Sequence, residues 1–123
     1  MRALHDMENR IHPRAKLKTW VKVIPPDGHS VIGNIEDISS GGVGVLDNQP
    51  LPPGKDCHVI FMLQDNRGEH LLQARCLVTS CTPVSSTHYH LGLQFLDFIS
   101  SPSDTLHAID HFLTWQANLS QRE

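Results

Sequence analysis

The chain has 123 residues, of which 39% are hydrophobic and 19% charged, with a formal net charge of −3. That length suits one domain with one core. The composition excludes a disordered chain, and no apolar run approaches the roughly 20 residues of a helical membrane span.

The charge is unevenly spread. Residues 1–22 carry six bases (Arg2, Arg10, Arg14, Lys16, Lys18, Lys22) against two acids (Asp6, Glu8), a net +4 that leaves −7 for the rest. A basic arm on an acidic body favours a small anion over long nucleic acid, which wants a broad basic face. The N-terminal MRALHDMENR lacks the apolar stretch of a secretory signal. Cys57, Cys76 and Cys81 form no CxxC pair. Both features predict a cytoplasmic protein whose free thiols serve as small buried hydrophobes.

Residues 1–16 read as a flexible polar arm with at most one helical turn near its start, and Pro13 as a breaker. Leu17 to Ile24 alternates, with Leu17, Thr19, Val21 and Val23 on one side and Lys18, Trp20 and Lys22 on the other, as in a half-buried strand. Pro25-Pro-Asp-Gly28 supplies a turn. Val31 to Ile38 is a second strand, and the polar Asp37–Gly42 stretch interrupts the apolar run before Val43 to Leu46 resumes it. Three prolines exclude regular structure from Asn48 to Gly54.

Asp56 to Gln64 places Cys57, Val59, Phe61 and Leu63 on one face, and Asp65-Asn-Arg-Gly68 is a hairpin turn. Leu71 to Cys81 follows, with Leu72, Ala74, Cys76 and Val78 together. After a loop at Thr82 to Thr87, Tyr89 to Phe95 alternates again, with Tyr89, Leu91, Leu93 and Phe95 aligned. Gly92 in its middle predicts a bend or a close backbone approach. Six such strands predict a sandwich or barrel, and a barrel leaves no edge unpaired.

The tail changes period. Ser101 as N-cap, Pro102 at the first helical position and Asp104 as the N3 acid open a helix. Leu106, Ile109, Phe112 and Leu113 give it an apolar stripe over about four turns. The stripe should pack on the barrel or close one mouth. The expected organisation is an arm over 1–16, a barrel over 17–98, and a helix with tail over 99–123.

Two stretches stand out for chemistry. Arg10-Ile-His-Pro-Arg14 sets two arginines four apart in the arm. Guanidinium grips phosphate bidentately, hydrogen-bonds guanine O6 and N7, and stacks on a purine. In Asp37-Ile-Ser-Ser-Gly-Gly42, the acceptor-only carboxylate of Asp37 suits the N1–H and N2–H₂ donors of guanine. Ser39 offers both donor and acceptors, while Gly41 and Gly42 allow close approach of a ligand. Each stretch alone leaves a blander reading open: a solvated basic arm, and a polar turn in which Asp37 and Ser39 bond their own backbone.

Nine histidines raise the question of metal. His107 and His111 lie four apart on the helix and His88 and His90 share a strand face, but no third ligand joins either pair, so no metal is expected. Ser39 lacks a histidine–acid arrangement and Asp37 a partner carboxylate, so no enzyme is expected. Trp20 is expected to pack, and Trp115 to be half exposed at the edge of the helix stripe.

Arg10xxxArg14, a strand, then Asp37-x-Ser39-x-x-Gly42 resembles the paired RxxxR…[D/N]xSxxG motif of PilZ domains. His90-Leu-Gly-Leu-Gln-Phe95 is similar to that family's final strand, and the resemblance covers roughly residues 8–115. It implies an all-β fold: a six-stranded antiparallel barrel of the split-barrel type, with a flexible N-terminal arm and a C-terminal α-helix. It also implies binding of the bacterial second messenger cyclic di-GMP. Arg10 and Arg14 would contact phosphate and guanine, and Asp37 and Ser39 a guanine base, with Gly41 and Gly42 keeping the turn open. The residue before the first arginine bears, in that family, on whether one or two stacked ligands bind; here it is Asn9. A side chain of the Arg75–Ser80 strand would add a contact.

The expectation is a stand-alone receptor, without a cofactor, whose arm orders on binding and signals to a partner protein. One alternative is a PilZ-fold adaptor that binds no nucleotide. Another is a small-barrel binder of single-stranded nucleic acid, which would need exposed aromatics on a basic face.

Overall fold

The structure, a computed structural model, describes residues 14–99 and 101–122. Asn9, Arg10 and the helical turn expected near the start of the arm lie outside the described residues. Six strands precede one helix: β1 (Ala15–Ile24), β2 (Val31–Ser39), β3 (Gly42–Asp47), β4 (Asp56–Asp65), β5 (Gly68–Pro83), β6 (Tyr89–Phe98) and α1 (Pro102–Arg122). All neighbours are antiparallel, and the order β1-β2-β3-β6-β5-β4 closes through a β1–β4 pair. The expected barrel is the observed one.

The alternation named the core. Val21, Val23, Val59, Phe61, Leu63, Ala74, Val78 and Leu91 are all buried within it. The strands run longer than expected where pairing, not apolar periodicity, sets their ends. β5 spans 16 residues because its start pairs with β4 and its polar end with β6. β1 starts at Ala15 because Ala15 and Lys16 already pair with Ile38 and Asp37.

Cys57 and Cys76 face each other across β4 and β5, both buried and free. Burial, helped by the charge of Asp56, pushes the Cys57 thiol up to about 11. Burial first, then the neighbouring Cys57 and Asp97, raises Cys76 as well. Both favour the unreactive thiol, as the hydrophobe reading expects.

The helix has 21 residues, about six turns rather than four. No glycine or proline follows Leu113 to stop it. The Ser101 carbonyl accepts the Thr105 N–H at 2.9 Å, as an N-cap residue should. The buried stripe is Thr105, Ala108, Ile109 and Phe112, while Leu106 is 39% exposed. Leu106 lies one residue, about 100°, off that stripe. Ile109 and Phe112 join the same apolar cluster as the barrel's inward residues, so the helix covers an open end. Trp115 is partly buried and packs edge-on against Phe112, with ring centroids 6.0 Å apart. Trp20 departs from expectation: its place in the β1 alternation turns it outward between Lys18 and Lys22, and it is 42% exposed.

A buried acid ties the helix to the β4–β5 hairpin. Asp65 Oδ1 accepts the Arg67 N–H at 2.7 Å and lies 3.3 Å from His70 Nε2. Its Oδ2 has no hydrogen-bond partner among the described residues and sits 3.9 Å from His111 Nε2, on α1. His111 also meets Asn66 Oδ1 at 2.8 Å. Burial pushes the Asp65 carboxyl up, but the Arg67 N–H, the His70 hydrogen bond and the charges of His70 and His111 outweigh it. The net effect holds the group below its ordinary value.

A depressed folded value means that ionised Asp65 stabilises the fold at pH values above the unfolded carboxyl titration, about pH 4. That contribution fades as pH falls through the lower, folded titration. Asp65→Asn should therefore melt below the wild type at pH 7. The gap should close on acidification, as read by thermal unfolding followed by circular dichroism from pH 7 to pH 3.

Candidate ligand-binding site

A β-bulge aims the central acid. Ile35 and Ile38 are both buried although they lie three apart, which a period of two forbids. The register shifts between Ile35 and Asp37, so Glu36 is the extra residue, and Asp37 comes opposite Gly44 of β3. On the other side Asp37 pairs with Lys16 of β1, where a second register shift lies. Two irregularities thus turn one carboxylate outward at the place where the arm enters the barrel.

The arm reaches it there. Arg14 Nη1 donates to Asp37 Oδ1 at 2.5 Å, joining residues 23 apart in sequence. The pair is open to solvent, with side-chain exposures of 53% and 30%. A pair this exposed contributes only about 0–1 kcal/mol.

The turn beyond Asp37 is held from within. Ser39 pairs with Gly42, so Ser40 and Gly41 form a two-residue connection. Ser39 is buried, and its Oγ accepts the Gly41 N–H at 3.2 Å. The turn-building role is therefore the one Ser39 plays in this structure. The Gly41 carbonyl accepts the Phe95 N–H at 2.8 Å, which fastens the turn to β6. A Cβ on Gly42 would run into the Leu93 carbonyl of β6, whereas one on Gly41 would have open space beyond a 3.9 Å contact. Gly42 is thus required by strand packing, and Gly41 is not.

Three residues that sequence reasoning did not single out for the site, Gly44, His90 and Gly92, complete its surroundings. Gly44 pairs with Gly92, giving a bare patch where β3 meets β6. A Cβ on Gly44 would lie 2.9 and 3.1 Å from the Asp37 carboxylate oxygens and 3.0 Å from His90 Nε2. Over Gly92 lean the hydroxyls of Ser80 and Thr79, 2.5 and 3.0 Å from where a Cβ would be. The close approach expected at Gly92 comes from these side chains, not from backbone. His90 and Gly92 were visible in the β6 alternation, as the face opposite Leu91 and Leu93, but the β3–β6 pairing that brings them to Asp37 was not.

Of the expected Arg75–Ser80 strand, only its end adjoins this patch. Arg75 is five residues from Ser80, about 16 Å along a strand, and it is engaged by Asp56 and Asp97 at 2.8 and 2.9 Å. Those two acids, Asp97 first, raise the guanidinium's pKa still further. Among the described residues, no group of three histidine, cysteine or acidic side chains is placed to hold a metal ion. His88 bonds its neighbour Thr87 at 2.8 Å, and His111 is occupied at Asp65 and Asn66.

Arg14 and Asp37 thus meet on the outside of a closed six-stranded barrel, with the Asp37 carboxylate beside the bare backbone of Gly44. The PilZ domain profile matches residues 8–114, and the chain belongs to that family. No curated relative matches the sequence.

Among solved structures, similar folds include the Bacillus subtilis inhibitor of motility, MotI/DgrA. It has a TM-score of 0.70 and 16% identity, covering 87% of this chain and 51% of that one. The K. pneumonia MrkH–c-di-GMP complex has a TM-score of 0.66 and 21% identity, covering 90% and 52%. The PilZ domain of Escherichia coli YcgR, solved with c-di-GMP, has a TM-score of 0.61 and 14% identity, covering 90% and 94%. At these identities the likeness is one of fold. The chain spans about half the length of the MotI and MrkH chains.

The turn makes a direct test. Gly42→Ala should lower stability by about 1–3 kcal/mol, because the Leu93 carbonyl it would strike is fixed in a strand. Gly41→Ala should stay within about 0.5 kcal/mol of the wild type. Urea unfolding midpoints of the two variants check the contrast.

Proposed function

We propose that this chain is a non-enzymatic cyclic di-GMP receptor, and that the ligand binds across the Arg14–Asp37 pair. The observation that carries this reading is the pair itself. Arg14 and Asp37, one residue from each of two motifs far apart in sequence, meet on the barrel surface. Phosphate oxygens attract the Arg14 guanidinium, which offers a fork of donors. The guanine edge attracts Asp37, which takes its N1–H and N2–H₂. Asn9, Arg10, Ser39, Gly41 and Gly42 belong to the same proposed site. Arg10 doubles the arm's charge, and the glycine turn admits the base.

The magnitudes favour exchange. The ion pair that must rearrange contributes about 0–1 kcal/mol. Each charge-assisted hydrogen bond a ligand makes contributes roughly 1.5–3 kcal/mol. Binding therefore replaces one weak internal contact by several stronger ones and draws the arm against the β2–β3 turn. Arg14, Ala15 and Lys16 also line a groove of about 450 Å³ with Leu113, Gln116 and Ala117 of α1. Movement of Arg14 alters the mouth of that groove, a route by which binding reaches a surface offered to a partner protein.

Calorimetric titration with cyclic di-GMP tests the reading. Heat is expected with the wild type, and Arg14→Ala and Asp37→Ala should each lose at least tenfold in affinity. An absence of heat with the wild type would reject the receptor reading. Unchanged affinity in both variants would reject the site.

A further inference from the structure

The site as proposed has an acid and an arginine on one side of the glycine floor. On the other side, on a strand that neither motif touches, stands His90. Its place is fixed by pairing: His90 of β6 lies opposite Leu46 of β3 and Thr82 of β5. It is half-buried on the outer face, two residues from Gly92. Its Nε2 and both oxygens of Asp37 converge on the position that a Gly44 side chain would fill. Since each lies about 3 Å from that point, His90 Nε2 and the carboxylate are at most about 6 Å apart across it. The imidazole has no hydrogen-bond partner among the described residues. Arg14 engages Asp37 through Oδ1, which leaves Oδ2 facing the same gap.

Building on the receptor reading, we propose that His90 is a specificity residue that reads the O6 edge of a guanine held by Asp37. Guanine offers two donors, N1–H and N2–H₂, directly beside an acceptor, O6. An acceptor-only carboxylate and an imidazole N–H, a few ångströms apart over a floor with no side chain, match that sequence of groups. Adenine reverses it: its ring N1 sets a lone pair against the carboxylate and its N6 amine a donor against the His90 N–H. The arrangement therefore selects the base by pairing and by repulsion together. Gly44 keeps the gap open, since any side chain there would meet the two groups before a base could.

The test uses the full chain with cyclic di-GMP and cyclic di-AMP, in calorimetry and in imidazole nitrogen–proton NMR. With cyclic di-GMP, His90→Ala should lose about tenfold or more in affinity and His90→Gln, which keeps a donor, should recover most of it. In the wild type the His90 ring signals should move with cyclic di-GMP at concentrations where cyclic di-AMP leaves them in place. His90→Ala within about twofold of the wild type, or ring signals unmoved at saturation, would overturn the role of His90 while leaving the receptor reading intact. Absence of heat with the wild type would instead remove both. The NMR arm decides the matter even where a variant fails to fold, because it needs only the wild type.

Discussion

The seam between β3 and β6 joins the two halves of the barrel and underlies the proposed site. These strands are separated in sequence by the whole β4–β5 hairpin, and they pair from Gly42 with Gln94 to Asp47 with Tyr89. Their inward residues, Val43, Val45, Leu91 and Leu93, are among the most buried in the chain. Their outward residues include Gly42, Gly44 and Gly92. One strand pair thus separates two tasks by the parity of its side chains. Apolar residues drive closure from inside, and missing side chains leave room outside. The Leu93 carbonyl, packed where a Gly42 Cβ would be, shows how tightly the inside task constrains the outside one.

The bulge at Glu36 connects this seam to the arm. Without it, the period of two that buries Ile35 would carry Asp37 into the core and turn Ile38 out, and an uncompensated buried carboxylate is costly. With it, the core keeps both isoleucines and the acid emerges beside Gly44. The contrast with Asp65 is informative. That acid is buried, and it is kept ionised by an N–H and two imidazoles, of which His111 also ties it to the helix. Asp37 has one exposed arginine and open space. The first is held inside the fold; the second is solvent-exposed and only weakly paired.

Much of this was legible in the sequence. Alternation gave the core faces of β1, β4, β5 and β6, because an inward residue every second position is a local property. The arginine–acid convergence was legible only through the order of two motifs, since no periodicity reports that Arg14 meets Asp37 across 23 residues. Turn chemistry located the hairpin at Asp65–Gly68, but strand ends drifted. The long β5 is set by partners that its polar ends do not advertise. The helix stripe was misplaced by one residue at Leu106, because Thr105 and Ala108 do the packing and neither announces it by hydrophobicity. His90 belonged to a visible outward face, yet its meaning depended on the β3–β6 register, which is tertiary.

That register also explains why a histidine can stand beside the acid without bonding it. Were Gly44 any larger residue, its side chain would separate the two groups and satisfy the outer face by itself. The absence of a Cβ leaves a carboxylate and an imidazole leaning over the same bare backbone, close enough to act on one planar ring. Hydrogen-bonding groups set around a gap reject a wrong edge more strongly than they reward a right one, because a mismatched base leaves them desolvated and unpaired. On the proposed reading, discrimination belongs to the rigid strands of the barrel and affinity to the arm: a charged arm would draw any phosphate to this surface, and the fixed pair over Gly44 would tell which base it carries.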